Sequence, residues 1–263
     1  MAKKQARMVA IANEKGGVGK TAMAINLGAA LVKAGKRVLI VDMDPQHNAT
    51  SGLGIDVDED TVSVYDLIGE EGTAETAADA LHATRWQGLD VIVSHPDLAG
   101  AEVELVDAEA RENRLKTAIQ PLVSAYDVVI LDSPPSLSLL TINVFACARE
   151  VLVPCQTHPY AYQALEDLFD TIADVRSEIN PSLRLTGVVP TFFDQRLRVC
   201  RSILDRLRSD PRYKDLVFDT CIRSNITIAD SVDAGKPIVF YRSTSRGAAD
   251  YTSLAREFLG KSA

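Results

Sequence analysis

Cysteine is scarce in this sequence and scattered. Cys147, Cys155, Cys200 and Cys221 form no C-x-x-C pair and match no common zinc or iron–sulfur spacing. Buried free thiols in a reducing compartment are therefore expected. Long apolar runs are missing too: no stretch approaches the roughly 18–20 residues needed to span a membrane. The first residues are basic, but the apolar run before Glu14 and Lys15 is too short for a signal peptide. There is no internal repeat and no low-complexity tract. An excess of positive charge is also lacking, with 28 Lys and Arg against 36 Asp and Glu and a net charge of −8. Taken as a whole-chain property, that balance counts against a nucleic-acid binder, which needs local positive charge. A soluble, cytoplasmic protein is the expectation.

What is present is ordinary globular composition, 46% hydrophobic and 24% charged over 263 residues. Short Val- and Ile-rich runs at 8–12, 37–41, 89–93, 128–131, 151–154, 185–189 and 216–222 read as strands buried on both faces. Between them lie longer amphipathic segments that predict helices over 21–34, 101–124, 138–148, 160–179, 197–209, 226–234 and 247–259. Gly35 and Pro181 stand where helix ends are expected. The alternation predicts an α/β fold with a doubly wound, mostly parallel sheet flanked by helices, as one domain over 1–263. Residues 56–60 and 69–79 read as surface loop or short helix.

Residues 14–21 are Glu-Lys-Gly-Gly-Val-Gly-Lys-Thr, placed after a predicted strand and opening a predicted helix. That is the context of a phosphate-binding loop. Glycines let backbone N–H groups turn inward around an anion, and the helix N-terminus adds a favourable dipole. Lys20 is placed to reach β- and γ-phosphates and the Thr21 hydroxyl to ligate Mg²⁺. ATP and Mg²⁺ are thus the expected cofactors. Two aspartates close apolar strands: Asp44 after 38–43 and Asp132 after 128–131. Ligands of open α/β sheets sit at these carboxyl edges, so one can support Mg²⁺ and another can orient the attacking water. Each alone is also compatible with a simple helix cap.

Together these residues resemble the ParA/MinD family of deviant Walker ATPases, and more closely its ParA (Soj-like) branch. The resemblance rests on K-G-G-V-G-K-T at 15–21, D-M-D-P-Q-H-N-A-T at 42–50, D-S-P-P at 132–135, and the stretches 98–102, 164–166 and 235–238. It implies that Lys15 crosses a dimer interface onto the partner's nucleotide and that Asp44 positions the hydrolytic water. It implies that Thr21, Asp42 and Asp132 serve Mg²⁺ and the switch region. Lys15, Gly16, Gly17, Val18, Gly19, Lys20, Thr21 and Ala22 would form the nucleotide loop, and Asn225 would contact the base. Lys15, Lys20 and Asp44 would be the catalytic set. The family's second Thr is Ala22 here, its usual Gly is His47, and its I-P-R-N reads Ile222-Arg223-Ser224-Asn225. The last difference displaces the expected arginine by one position.

The resemblance further implies slow ATP hydrolysis, an ATP-dependent homodimer, binding to non-specific DNA of the nucleoid, and stimulation by a cargo-bound ParB-like activator. Segment 196–214 carries Arg196, Arg198, Arg201, Arg206, Arg208, Arg212 and Lys214 against Asp205 and Asp210. On charge alone it reads equally as a solvated helix face; with the resemblance it reads as a phosphate-binding surface, with Arg196, Arg198, Arg201 and Arg223 as candidate DNA contacts. A MinD-like membrane cycle and a metabolic P-loop enzyme are the alternatives. The last helix is short and weakly basic, so stable membrane association is not expected. The loop begins at residue 15, leaving no room before it for a DNA-reading helix-turn-helix, so operator binding is not expected either.

Overall fold

The computed structural model describes residues 5–69 and 72–261. Seven strands form one sheet: β1 (Arg7–Ile11), β2 (Val38–Asp42), β3 (Leu81–Ala83), β4 (Leu89–Ile92), β5 (Val128–Asp132), β6 (Glu150–Gln156) and β7 (Arg184–Thr191). Their order is β3-β4-β2-β5-β1-β6-β7. All neighbours are parallel except β3, which runs antiparallel to β4. The helices are α1 (Lys20–Lys33), α2 (Asn48–Gly52), α3 (Val64–Ile68), α4 (Ala74–Asp79), α5 (Leu98–Glu104), α6 (Arg114–Val123), α7 (Leu139–Cys147), α8 (Ala161–Glu178), α9 (Arg198–Ser209), α10 (Ile226–Asp233), α11 (Ile238–Tyr241) and α12 (Arg246–Gly260).

The sheet separates two cores because side chains alternate along a strand. Met8, Ala10, Leu39, Val41, Val129 and Leu131 face the layer that contains α6, α7 and α8. Val9, Ile11, Val38, Ile40, Val128 and Ile130 face α1 and α12. In α12, Tyr251, Leu254, Ala255 and Phe258 are buried, so this helix packs on the body. Among the described residues, no helix is long and apolar enough to cross a membrane. Register places the ends of three strands side by side: Ile11 pairs with Asp132 and Asp132 with Asp42. The loop that leaves β1 therefore opens beside two carboxylates.

Three expectations are corrected. The single helix predicted over 101–124 is two, α5 and α6. Between them Ala110 takes a left-handed φ of 51° and a 3-10 turn covers Arg111–Asn113. The Asn143 side chain of α7 holds this junction, accepting from Leu115 N–H and donating to the Arg111 carbonyl. The run 216–222 is no strand. Isolated bridges join Val217 to Val188 of β7 and, just past the run, Arg223 to Phe193, and the Ile222 N–H donates to the Pro190 carbonyl at 2.8 Å. Asp219 and Thr220 interrupt it, and their N–H groups go to the Glu257 carboxylate at 2.8 and 2.9 Å. Strand β3 was not predicted; three residues carry too little periodicity. In the stretch 69–79, Glu70 and Glu71 lie outside the described residues, and α4 follows with a Thr73–Thr76 capping box. All four cysteines are free, and burial pushes the Cys147 and Cys155 thiols up to about 12.

Candidate nucleotide-binding site

The loop between β1 and α1 curls back on itself. Gly17 and Gly19 have φ of 74° and 92°, where a side chain would be strained. Lys20 is only 7% exposed. Its Nζ donates to the Asn13 carbonyl at 2.9 Å and, at 3.5 Å, to that of Lys15. Asn13 braces the loop a second way: its Oδ1 accepts the Lys15 N–H at 2.9 Å and its Nδ2 donates to the Pro154 carbonyl at 2.8 Å. Burial lowers the Lys20 pKa, and the charges of Asp132 and Asp44 oppose that shift. The half-buried Lys15 makes no side-chain ion pair among the described residues.

The three aspartates, Asp42, Asp44 and Asp132, have different surroundings. Both Asp42 oxygens are engaged: Oδ2 accepts the Thr50 N–H and hydroxyl, each at 2.8 Å, and Oδ1 accepts the Asp44 N–H at 3.2 Å. Burial still pushes its pKa up to about 6. Through these bonds Asp42 ties the loop after β2 to α2, while its strand register keeps it beside Asp132. Asp44 is 7% exposed; its Oδ1 accepts the Gln46 N–H at 3.0 Å and its carbonyl accepts the Ser94 hydroxyl at 2.8 Å. Asp132 is fully buried, and neither oxygen has a hydrogen-bond partner. Burial first, and the Asp42 charge second, hold its pKa well above the usual range; the facing Thr21 hydroxyl and Lys20 pull the other way. An orphaned carboxylate beside a hydroxyl at a phosphate loop is the hard-oxygen donor set that Mg²⁺ takes when it shares its shell with phosphates and water.

Beyond Gly19 and Ala22 opens an apolar cavity of about 440 Å³, walled by Phe192, Ile222, Ile228, Val232 and Tyr251. Asn225 also lines it, but its Oδ1 caps α10 by accepting the Thr227 N–H at 3.0 Å. His47 occupies a left-handed turn at φ 42°, which explains why glycine suits that position; its Nδ1 lies 3.1 Å from Ser51 Oγ.

The arginines are less free than their number suggests. Arg196 pairs with Asp194 at 2.7 Å, though its side chain is 85% exposed. Arg223 is gripped by Asp250, with Nε at 3.0 and 3.1 Å from the two oxygens. Arg206 lies over the Tyr162 ring, Arg208 donates to the Asp219 carbonyl, and Arg212 pairs with Glu166 and Asp210. Arg198 and Arg201 lie on the exposed face of α9 and make no ion pair among the described residues. Arg196 and Arg223 line one polar groove together with Arg246, which sequence reading did not single out.

A family model described as an AAA domain matches residues 6–185. The chromosome partitioning protein ParA of Myxococcus xanthus is 42% identical over 253 residues, covering 96% of this chain and 88% of that protein. The chain belongs to the ParA/Soj family of partition ATPases. Soj of Bacillus subtilis, described as a sporulation initiation inhibitor protein, is 41% identical over 95% of this chain and 97% of its own. A Mycobacterium smegmatis protein described as cobyrinic acid a,c-diamide synthase, solved with an ATP analogue and magnesium, has a TM-score of 0.84 at 36% identity. It covers 97% of this chain and 94% of that one. Cyanothece McdA in complex with ATP, at 21% identity and a TM-score of 0.84, shares the fold. As a member of the ParA/Soj family, the chain is a P-loop ATPase.

Proposed function

We propose that this chain works as one ATPase unit that binds Mg·ATP through residues 15–22, dimerises on it, and in that state binds DNA without sequence preference. A cargo-bound ParB-like protein then stimulates hydrolysis and release, so that a cargo is moved or spaced along the nucleoid. The observation that carries the nucleotide part is Asp132, a fully buried carboxylate that faces Thr21 and Lys20 and has no close hydrogen bond among the described residues. Backbone N–H groups of Gly16–Gly19 would hold the phosphates, and Lys20 would exchange the Asn13 carbonyl for a phosphate oxygen. Thr21 and Asp132 would hold Mg²⁺, which when bound neutralises charge on the β- and γ-phosphates. Asp44 would accept a hydrogen bond from the attacking water and orient it. Lys15, whose side chain has no ion-pair partner among the described residues, would reach the nucleotide of the second copy.

The test is binding to random-sequence duplex DNA with ATP and with ADP over a salt series. Binding that needs ATP and weakens steeply with salt supports this reading. No binding in either state, with ATP bound and the dimer formed, removes the nucleoid from it. A second reading, ATP-dependent amide synthesis on a carboxylate substrate, is favoured by the likeness to the Mycobacterium smegmatis protein. ATP turnover that responds to an amide donor and a carboxylate acceptor, and not to DNA, would support that reading instead.

A further inference from the structure

The residue that follows β7 has a backbone conformation that its own type disfavours. Phe192 sits at φ 51°, in the left-handed region that bulky side chains rarely enter and that persists only where neighbours enforce it. Here they do. The Thr191 hydroxyl donates to the Val18 carbonyl at 2.9 Å, tying the end of β7 to the phosphate loop. Thr157 donates its N–H to the Thr191 carbonyl at 3.1 Å, and on the other side Phe193 N–H donates to the Ile222 carbonyl at 3.1 Å. An aromatic side chain at the end of a buried strand would ordinarily turn into the core. This one is left 43% exposed, and its ring lies so close to the phosphate loop that a Cβ added to Gly19 would stand 3.6 Å from it. The ring also walls the apolar cavity that opens against the first turn of α1 at Gly19 and Ala22.

We propose that the Phe192 ring is the stacking platform for the nucleotide base and sets the base preference of the site. The inference rests on the nucleotide reading above and adds a residue to it. A triphosphate seated on residues 16–21 would run past Gly19 and Ala22 into this cavity, whose lining is predominantly aliphatic and aromatic. A flat π-face half open to solvent at that mouth gives a base what a saturated side chain cannot, because stacking tolerates any base but rewards the larger ring systems. The strained backbone is what aims the ring there.

The experiment compares ATP, CTP and inorganic tripolyphosphate by calorimetry on wild-type protein and on Phe192→Ala, Phe192→Leu and Phe192→Tyr. Tripolyphosphate needs the phosphate loop and has no base to stack. Phe192→Ala and Phe192→Leu are expected to weaken ATP binding by about five- to a hundredfold while leaving tripolyphosphate binding unchanged. Phe192→Tyr is expected to restore ATP binding, and the wild-type preference for ATP over CTP should shrink in the leucine variant. Should alanine unfold the protein, leucine keeps the apolar bulk and answers the same question. Equal losses for ATP and tripolyphosphate would overturn the proposal, since the ring would then only shape the loop; full ATP affinity in Phe192→Leu would overturn it as well. Wild-type protein that binds neither ligand would refute the nucleotide reading itself, and this inference with it.

Discussion

Replacing Asp132 by asparagine should make the nucleotide-free protein more stable and, at the same time, blind to Mg·ATP. The carboxylate is fully buried and neither oxygen is hydrogen-bonded. An unsatisfied buried polar group costs about 1–3 kcal/mol, and more when charged. The facing Thr21 hydroxyl and, after it, the Lys20 charge offset part of that cost, but the ammonium is turned to the Asn13 carbonyl. A neutral amide of the same shape removes the charge penalty, so a gain of about 1–3 kcal/mol is expected, or a rise in melting temperature of about 2–12 °C for a chain of this size. The sign with pH follows from the raised pKa. Below the ordinary aspartate value of 3.8 the folded and unfolded chains both hold the proton, and the two proteins differ little. As pH rises towards the raised folded value, the unfolded chain releases a proton that the native one keeps, so wild-type stability falls. The advantage of Asp132→Asn should therefore be larger at about pH 7.5 than at about pH 4.5. Thermal melts in EDTA at the two pH values measure it. A saturating ligand at a hundred times its Kd would stabilise wild type by about 2.7 kcal/mol and should leave the variant nearly unmoved. An asparagine variant that melts below wild type at the higher pH, or shows the same difference at both, would refute the claim that this carboxylate is uncompensated without its ligand.

Other outcomes follow from the same geometry. Lys20→Ala should weaken ATP binding by about ten- to a hundredfold; unchanged affinity in a calorimeter would move the phosphate site elsewhere. Asp44→Ala should bind ATP and dimerise, with turnover down by about a hundredfold or more; wild-type phosphate release would mean that another group orients the water. His47→Gly should relieve the left-handed turn and stabilise the fold by up to about 1 kcal/mol, seen as a raised urea midpoint; a lowered midpoint would show that the contact to Ser51 outweighs the strain. Arg198→Glu with Arg201→Glu should abolish DNA binding and leave ATP-dependent dimerisation intact in sedimentation; simultaneous loss of both would indicate a damaged fold.

Strands β1, β2 and β5 were legible because burial writes them as unbroken apolar runs, and the terminal aspartates of β2 and β5 stand out where those two runs stop. The phosphate loop was legible because few other uses require glycine at both 17 and 19 directly before a lysine. What sequence could not separate were Asp42 and Asp132. They have equivalent places at strand ends, and only the arrival of Thr50 against Asp42 makes one carboxylate a loop anchor and leaves the other open. Asn13 gave no signal, since its three contacts are set by where the β6 end and the Lys20 side chain come to rest. The arginine-rich segment is a similar case. Counting charges along 196–214 omits acids supplied from elsewhere in the chain, such as Glu166 for Arg212, and outside that segment Arg223 is likewise met by Asp250. A φ of 51° at Phe192 leaves no trace in residue type at all.

The sheet order has a consequence for how the chain is made. Strand β1 leaves the ribosome first, yet its neighbours in the sheet are β5 and β6, with Arg7 opposite Val128 and Val9 opposite Glu150. At about 5–20 residues per second, the phosphate loop and its strand wait on the order of ten seconds for the partners that hold them. During synthesis the nascent β1 and its loop therefore have to be kept from pairing with other chains, and the ATPase site cannot be complete until β5 and β6 have been translated.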